Sequence, residues 1–351
     1  MGITLKQLAL EAGVSMATVS LALNGSENVA EKTRKRILKL AHDKNYQPNL
    51  VARSLAGGNN YLIGILIDSK APRVLFRLLA YIEREAGLHG YRIMIGEAHN
   101  NVQHLHEIYH TFRQYNVSGV ICLAHDYPGQ EAELKRLFNN CRNMVYIGRP
   151  KLDHASYVSI DRGAAMDQAI SHLQSQGYKR IGMVCNAIDY RSTHNRIASL
   201  KQIMKERGID DITPMLFKFD EDVEGGYGNS NLERFIKEKV ITGEFDAVML
   251  ESDVNAGMLC KLLAKRGISV PRDFGVIGSD NDDICIFCYP ELTSIDDAQE
   301  RQAEEAVKML LSVIADKKAE SIDRHVIVSS KLVIRESTMR NIENNNTLTS
   351  K

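Results

Sequence analysis

Apolar positions at the start of the chain recur with the spacing of short helices. Thr4 is suited to cap a first helix, and Gly13 is suited to end it. Between them, Leu5, Leu8 and Ala9 follow the spacing of one helix face. The pattern therefore predicts an amphipathic first helix between these two residues.

Two further helices are predicted before residue 45. Ser15 is a favourable N-cap for a helix over 15–23, which the Asn24-Gly25 pair ends. A third helix, from about Glu31 to Lys44, is predicted to bury Ile37, Leu38 and Ala41 and to expose Arg34, Lys35 and Lys39. Two short helices joined by a turn and braced by a third are typical of a helix-turn-helix, whose second helix enters the major groove of DNA. A small helical bundle without a nucleic-acid role would show the same periodicity.

From Tyr61 onward, apolar runs of strand length alternate with helical patterns. The predicted strands are Tyr61–Ile67, Arg92–Ile95, Gly119–Leu123, Met144–Ile147, Val158–Ile160, Ile181–Val184, Ala247–Leu250 and Val276–Ile277. The clearest helices between them are Leu75–Leu88, Ala164–Gln176, Arg196–Arg207 and Val254–Lys265. Such alternation predicts parallel sheets with right-handed crossovers. Since roughly 280 residues exceed one such core, we expect two lobes, with a ligand at the carboxyl ends of their strands.

Composition limits the class of protein. The 351 residues are 44% hydrophobic and 25% charged, as in an ordinary soluble protein. No secretory signal and no membrane-spanning run is recognisable, and the six cysteines are scattered, so we expect a cytoplasmic protein with free thiols. The net charge of zero conceals an asymmetry, because residues 1–60 carry eight basic and four acidic side chains. A basic head on a mildly acidic body favours a polyanionic partner at one end.

Specific motifs in the head narrow this further. The densest is Thr4-Leu-Lys-Gln-Leu-Ala-Leu-Glu-Ala-Gly-Val-Ser-Met-Ala-Thr-Val-Ser20, followed by Asn28-Val29, Thr33-Arg34, Tyr46-Gln-Pro48-Asn49 and Ala52-Arg-Ser-Leu55. These residues closely resemble the head of the lactose-repressor/galactose-repressor (LacI/GalR) family of transcription regulators. Looser motifs extend the resemblance through the body: Val158-Ser-Ile-Asp161, Gly177-Tyr-Lys-Arg-Ile-Gly182, Val270-Pro271, Val276-Ile-Gly-Ser-Asp280, Pro290-Glu-Leu-Thr-Ser-Ile295 and Arg335-Glu-Ser-Thr338.

The resemblance implies a multidomain chain: an all-α helix-turn-helix head with a hinge helix, then an α/β periplasmic-binding-protein-like core of two parallel-sheet lobes. The chain would cross between the lobes near residues 160, 290 and 323. The expected parts are the head 1–47, the hinge helix and linker 48–60, an N-terminal lobe 61–161 plus about 291–323, a C-terminal lobe 162–290 plus about 324–338, and a disordered tail 339–351.

The resemblance also implies the DNA-binding residues. Phosphate contacts are expected from Ser15, Thr18, Asn24 and Thr33, and base-edge contacts from Met16, Ala17, Ser20 and Leu21. Thr4, Asn28, Asn49, Ala52 and Arg53 complete the predicted surface. Many relatives carry an arginine where this chain has Leu21, and arginine suits guanine. The apolar face here instead favours thymine methyl groups.

The hinge is predicted to be a short helix over Asn49–Ala56. By the resemblance it orders on operator DNA, pairs with its twin in a second subunit and pushes Leu55 into the minor groove. The alternative for Leu55 is a linker residue that packs on the body.

An effector site is implied in the core by Arg196 and Asp280. An arginine and an aspartate facing each other can clamp hydroxyls or a polar ring, although either could belong to a structural ion pair. Ser69, Arg73, Asp161, Ser192, Ser252 and Asp253 complete the predicted site. The loop from Asp68 to Leu75 lacks the aromatic residues common in relatives and gains Lys70 and Arg73, which leaves a sugar, a sugar phosphate or another metabolite open.

Other chemistry receives less support. Cys285-Ile-Phe-Cys288 has redox spacing, and His104, His106 and His110 include a helical metal-ligand pair, but buried thiols and a solvated histidine face are favoured. No metal or cofactor is predicted. The sequence thus predicts a homodimeric, effector-controlled DNA-binding regulator, in this family most often a repressor. The alternatives are a solute-binding protein of a transport system and, third, an enzyme. Repression or activation, the sense of the effector and any protein co-regulator stay open.

Overall fold

The computed structural model describes residues 3–23, 25–46, 60–68, 72–139, 141–185, 191–220, 229–315 and 324–340. Contacts divide the chain into two compact units, Met1–Asn60 and Tyr61–Lys351. We call the first unit the head and the second the core.

The head consists of helices around a small apolar centre. They are α1 (Leu5–Ala12), α2 (Met16–Leu23) and α3 (Glu31–Asp43). The buried side chains are Leu8, Ala9, Ala12, Val19, Ala22, Val29, Ile37 and Ala41. Leu38, predicted to be buried, is instead 45% exposed. Because Ile37, Leu40 and Ala41 share one face of α3, Leu38 is turned about 100° away from it.

Local chemistry sets the first helix boundary. Thr4 and Gln7 form a capping box: the Gln7 N–H donates to Thr4 Oγ1 over 3.3 Å, and the Thr4 N–H donates to Gln7 Oε1 over 2.8 Å. Gly13 ends the helix with φ of 64°, in the left-handed region that glycine enters without strain. The predicted ends of α1 are therefore confirmed.

The described part of the core contains two sheets of six strands each. The strands are β1 (Leu62–Ile67), β2 (Arg92–Glu97), β3 (Gly119–Cys122), β4 (Met144–Ile147), β5 (Ser156–Asp161), β6 (Ile181–Cys185), β7 (Leu216–Lys218), β8 (Ala247–Leu250), β9 (Gly275–Ser279), β10 (Thr293–Asp296), β11 (His325–Ser329) and β12 (Lys331–Val333). The first sheet has the order β11-β5-β4-β3-β1-β2, and the second β12-β10-β9-β8-β6-β7. All strand pairs are parallel except β10 with β12.

Helices cover both faces of each sheet. They are α4 (Pro72–Leu88), α5 (Val102–Gln114), α6 (Glu131–Phe138), α7 (Gly163–Ser175), α8 (Arg191–Glu206), α9 (Asn229–Phe235), α10 (Asp253–Ala264), α11 (Ile284–Phe287) and α12 (Gln299–Ala315). On the first sheet, α4 and α12 pack on one face, and α5 and α6 on the other. On the second sheet, α7 and α8 lie opposite α9 and α10. Burial on both faces explains why the strands read as continuous apolar runs.

Strand pairing corrects the predicted crossing points. The first crossing lies between β5 and α7, near residue 162, close to the expected position. However, β10 pairs with β9 in the second sheet, so the chain returns only after Asp296 rather than near residue 290. Likewise β11 pairs with β5 in the first sheet, so the last crossing follows Ser329 rather than residue 323. Periodicity could not reveal these positions, because it does not say which strands pair.

None of the helices in the described ranges is long and apolar enough to cross a membrane.

Candidate nucleic-acid interface and effector cleft

Helix α2 presents an apolar face to solvent. Met16 and Leu21 are 50% and 41% exposed, and Ala17 lies beside them, while Val19 points into the head. Ser20 is partly exposed at the edge of this face. The residues predicted to read base edges are thus on the accessible side of the helix. Because Val19 occupies the buried side, the exposed set follows from helix geometry.

The start of α2 carries hydroxyl groups. Ser15 Oγ accepts a hydrogen bond from the Thr18 N–H over 3.1 Å and lies 2.9 Å from Thr18 Oγ1. Ser15 therefore caps the helix, as predicted. The first turn of a helix also has N–H groups without intrahelical acceptors, and its dipole favours anions. This end of α2 is chemically suited to a phosphate.

Other predicted DNA contacts surround this helix. Thr4 and Asn28 are exposed, and Thr33 is partly exposed near the start of α3. Arg36 is not available for DNA in the same way, since its Nη2 donates to the Ala12 carbonyl over 2.9 Å. This long-range bond ties α3 to the end of α1.

Several predicted residues lie outside the described part of the chain. These are Asn24, Asn49, Ala52, Arg53, Leu55 and Ser69, the side chains of Arg73 and Ser192, and residues 341–351 of the tail. The predicted start of a disordered tail at 339 is wrong, because Arg340 is described and its Nε donates to the Arg272 carbonyl over 3.1 Å. The hinge helix and the minor-groove wedge stay predictions.

In the core, Arg196 lies in a buried network of charges. Its Nη2 is 3.9 Å from Asp297 Oδ2, and Arg162 Nε donates to both oxygens of Asp297 over 3.0 and 3.1 Å. Asp297 follows β10, and Arg162 directly precedes α7. Neither residue was predicted for the site, although charged residues directly after strands were a usable signal.

The second acidic partner of Arg196 is Glu251, which follows β8. Arg196 Nη1 is 3.9 Å from Glu251 Oε2, and that same oxygen accepts a hydrogen bond from Thr193 Oγ1 over 3.0 Å. All three side chains are buried. The guanidinium of Arg196 is therefore shared between two carboxylates inside the second lobe and the crossing segment.

Asp280 follows β9 in a turn with φ of 97°, which is rare for a residue other than glycine. Its N–H donates to the Ile295 carbonyl over 2.8 Å. Burial and the nearby Asp297 carboxylate raise the pKa of Asp280 to about 7, against the opposing influence of Arg196. At neutral pH the Asp280 carboxyl is therefore protonated in a fraction of the molecules, and a protonated carboxyl can both accept and donate hydrogen bonds.

Asp253 is placed differently from its predicted role. It is 1% exposed, and its carboxylate accepts from the Ser294 hydroxyl over 2.6 Å and from the Asp282 N–H over 2.8 Å. Burial raises its pKa to about 6. Ser252 caps α10 by accepting from the Val254 N–H over 3.2 Å. Both side chains hold protein segments in place.

Asp161, at the end of β5, is exposed and accepts a hydrogen bond from the Gly163 N–H over 2.8 Å. It lines a polar surface cleft of about 270 Å³ together with Arg162, Asn195 and Ser199. Asp161 thus lies next to the Arg162–Asp297 pair, at the first crossing between the lobes.

The histidine and cysteine motifs show no reactive arrangement. Within the described ranges, no group of three or more His, Cys, Asp or Glu side chains has the geometry of a metal site. His106 packs against the Phe138 ring, while His104 and His110 are exposed on α5. All six cysteines are free, as predicted. Burial raises the pKa of the Cys285 thiol, which opposes thiolate chemistry.

Known protein families match parts of both the head and the core. Residues 4–49 match the bacterial regulatory proteins of the lacI family, and residues 170–338 match the periplasmic binding protein-like domain. Catabolite control protein A of Streptococcus mutans is 28% identical over 339 residues, covering 96% of this chain and 98% of that protein. The HTH-type transcriptional repressor PurR of Salmonella newport is 28% identical over 336 residues, covering 95% and 96%.

Solved structures show the same fold. The lac repressor dimer bound to operator and the anti-inducer ONPF superposes with a TM-score of 0.78 at 21% identity, covering 97% of this chain and all of that chain. A complex of the transcriptional regulator CelR with cellobiose gives a TM-score of 0.66 at 21% identity, covering 95% and 99%.

A lacI-type helix-turn-helix joined to a periplasmic-binding-protein-like core defines a DNA-binding transcription regulator. The chain belongs to the LacI/GalR family. The predicted fold class is confirmed, and the family is one of regulators, not enzymes.

Proposed function

We propose that this regulator is a repressor that reads a pseudo-palindromic operator through α2, in the cytoplasm. The exposed face formed by Met16, Ala17 and Leu21 carries the proposal, because a surface helix of a small domain rarely exposes such a face without a partner. Two heads would occupy successive major grooves, with paired hinges opening the minor groove between them.

A homodimer supplies the second head. Phe287 and Tyr289 are 80% and 95% exposed in and just after α11, and Ile286 beside them is 52% exposed. Three large apolar side chains on one short segment are typical of a protein–protein contact. The segment begins only a few residues after Asp280, so the proposed dimer contact and the proposed effector site share one loop.

The effector is proposed to be an uncharged, hydroxyl-rich metabolite such as a sugar. Among the described residues, the network around Arg196 holds the carboxylates Glu251, Asp280 and Asp297 against two guanidinium groups. Both guanidinium groups already face carboxylates, so neither offers a free cation to an acidic ligand. A neutral ligand that donates hydrogen bonds to Asp280 therefore suits this set of three carboxylates and two guanidinium groups better than a phosphate does.

Control of DNA binding would follow from movement between the lobes. An effector that prefers one arrangement shifts the population towards it, and the shared loop carries the change to the dimer contact. Such coupling is reciprocal and typically about 1–3 kcal/mol.

The test is selection of genomic fragments by the full-length protein, followed by gel-shift measurement on the recovered site. We expect a pseudo-palindrome and loss of specific binding on Met16→Asp, with Lys135→Ala in the core as the control. A protein that retains no DNA would support the solute-binding alternative instead.

Leu21 provides a sharper test of base reading. Since its side chain is apolar, we expect no invariant guanine opposite it, and we expect Leu21→Arg to move the selected sequence towards guanine at that position. Recovery of an invariant guanine by the unchanged protein would contradict the assigned role of Leu21.

The effector proposal is tested by thermal shift with glucose, glucose 6-phosphate and cellobiose on the unchanged protein and on Arg196→Met. Stabilisation by a neutral sugar that is lost in the variant supports the site. Preferential stabilisation by the phosphate would contradict the charge argument.

A further inference from the structure

Arg77 reaches from the first lobe to the second. It lies on α4, which packs on the first sheet, and its Nε donates to Gln299 Oε1 on α12 over 3.0 Å. Its two terminal nitrogens point the other way. Nη1 donates to the carbonyl of Asn281 over 2.6 Å, and Nη2 donates to the carbonyl of Asp280. One guanidinium thus holds two successive carbonyls of the loop that follows β9.

The loop that Arg77 holds is strained. Asp280 and Asn281 have φ values of 97° and 48°, in the left-handed region that residues other than glycine adopt only rarely. Their persistence requires the surroundings to fix them. From the second lobe, Ser294 Oγ accepts from the Asn281 N–H over 3.0 Å, and Arg335 Nη2 donates to Asn281 Oδ1 over 2.7 Å. From the first lobe, Arg77 supplies the hold.

We infer that Arg77 is a positioning residue for the effector site: it sets the place of Asp280 from the opposite lobe. A shift of α4 against the second sheet then moves the backbone of Asp280 directly, without passing through the ligand. The inference rests on the proposed effector role of Asp280. It adds a residue that touches no effector and that no sequence motif indicated.

A fork-shaped donor is needed for this task. Two neighbouring carbonyls and the Gln299 amide oxygen lie in three directions around one planar group, and arginine offers five N–H donors in a fixed plane. Lysine has a single charged nitrogen and cannot reproduce the fork. We therefore expect Arg77→Lys to restore only part of the hold.

Arg84 offers a matched control. It lies two turns further along α4 and pairs with Glu300 on α12, so it also links these two helices. Unlike Arg77, it makes this contact between two elements that both pack on the first sheet. Arg84→Ala removes an arginine from the same helix and leaves the Asp280 loop untouched.

The first experiment is hydrogen–deuterium exchange on the full-length protein without ligand. The N–H groups of Asp280, Asn281 and Asp282 are all hydrogen-bonded, so their exchange reports opening of the loop. For Arg77→Ala we expect exchange about tenfold faster there, an intermediate value for Arg77→Lys and no change for Arg84→Ala. Unchanged exchange in Arg77→Ala would overturn the inference.

The second experiment separates positioning from a general loss of stability. Four charged groups act on the Asp280 carboxyl. The carboxylates of Asp253 and Asp297 raise its pKa, and the guanidinium groups of Arg162 and Arg196 lower it. The loop is further lined by Arg77, Asp282, Asp296 and Arg335. If Arg77 keeps Asp280 among the carboxylates, then Asp280→Asn stabilises the protein more at pH 7.5 than at pH 4.5.

In the Arg77→Ala background this pH-dependent gain is expected to shrink by at least half, measured as the change in thermal midpoint. Comparing the four proteins subtracts the pH dependence of all other groups. A purely structural Arg77 would lower every midpoint and leave the gain intact, which would refute the inference. Neither experiment needs DNA or effector, so failure here leaves the gel-shift and ligand tests of the proposed function standing.

Discussion

At the scale of single residues, the charges around Arg196 show why a recognisable arginine need not be a free one. Its guanidinium lies 3.9 Å from both Glu251 and Asp297, and Arg162 shares the latter. Asp280 is the carboxyl left with the least compensation, as its raised pKa shows. A buried charge that is incompletely paired destabilises the fold until a ligand or a proton satisfies it.

The pH dependence of stability follows from this. Because the pKa of Asp280 is raised to about 7 in the folded protein from 3.8, the folded state binds the proton more tightly than the unfolded state. The contribution of Asp280 to stability is therefore fully present below pH 4 and is lost as the pH rises to 7. We expect Asp280→Asn to add about 2 kcal/mol to the free energy of unfolding at pH 8 and little at pH 4.

Chemical denaturation at the two pH values measures this difference. Asp161→Asn is the control, since this aspartate is exposed and is not among the charges that act on the Asp280 carboxyl. An equal effect of Asp280→Asn at both pH values would show that its carboxylate is not buried among like charges.

At the scale of elements, β9 and α10 approach each other closely at Gly278. A Cβ on Gly278 would lie 2.0 Å from Asp253 Oδ1 and 3.1 Å from the Asp253 backbone. The same Asp253 carboxylate holds both the Ser294 hydroxyl and the Asp282 N–H. Strand, helix and loop are thus locked by one buried acid, which requires glycine opposite it.

Gly278→Ala is expected to destabilise the core by about 2–4 kcal/mol, because the methyl group must displace a buried, hydrogen-bonded carboxylate. Thermal unfolding measures the loss. Gly87→Ala on α4 is the matched control: its added methyl meets nothing closer than 3.8 Å, and a helix interior favours alanine by up to about 1 kcal/mol. Equal midpoints for the two variants would contradict this account of the close approach at Gly278.

At the scale of the whole molecule, each unit has its own apolar centre, and the proposed dimer contact lies on the core. This arrangement brings the proposed effector site, the proposed positioning contact of Arg77 and the proposed dimer contact to one loop. The loop follows β9, carries Asp280, is held by Arg77 and leads into the apolar segment at Phe287. The proposed effector site and the proposed subunit contact are therefore joined by a short stretch of chain.

Phe287→Asp is expected to convert the dimer to a monomer, since a charge at the centre of an apolar contact costs several kcal/mol. Light scattering after size exclusion would show the change in mass, and specific DNA binding would weaken with it. Ile241→Asp is the control, because Ile241 is also an exposed apolar residue, at 64%, but lies a few residues after α9 and not in the segment at Phe287. A dimer that survives Phe287→Asp would place the subunit contact elsewhere.

The head and eight of the twelve described strands were predictable from the sequence because their signals are local, whereas β7, β10, β11 and β12 were missed. Caps such as Thr4 and Gly13 act within four residues, and the strands of a sheet covered on both faces appear as apolar runs. The family motifs in the head are contiguous for the same reason. The prediction for Leu38 was correct in placing it on a helix but wrong in its burial. Neighbouring residues on a helix point about 100° apart, so Ile37 is buried while Leu38 is exposed.

What the tertiary structure alone decided concerns contacts between distant parts of the chain. Arg162 meets Asp297 and Arg77 meets Asp280 across 135 and 203 residues, and β11 returns to β5 after α12. No periodicity carries such pairings, because they depend on how strands order themselves in a sheet and on which loops that order brings together. The sequence determined that the chain has a DNA-reading head and a two-lobed core, whereas only the folded core shows that its arginine is shared and its aspartate is held from the opposite lobe.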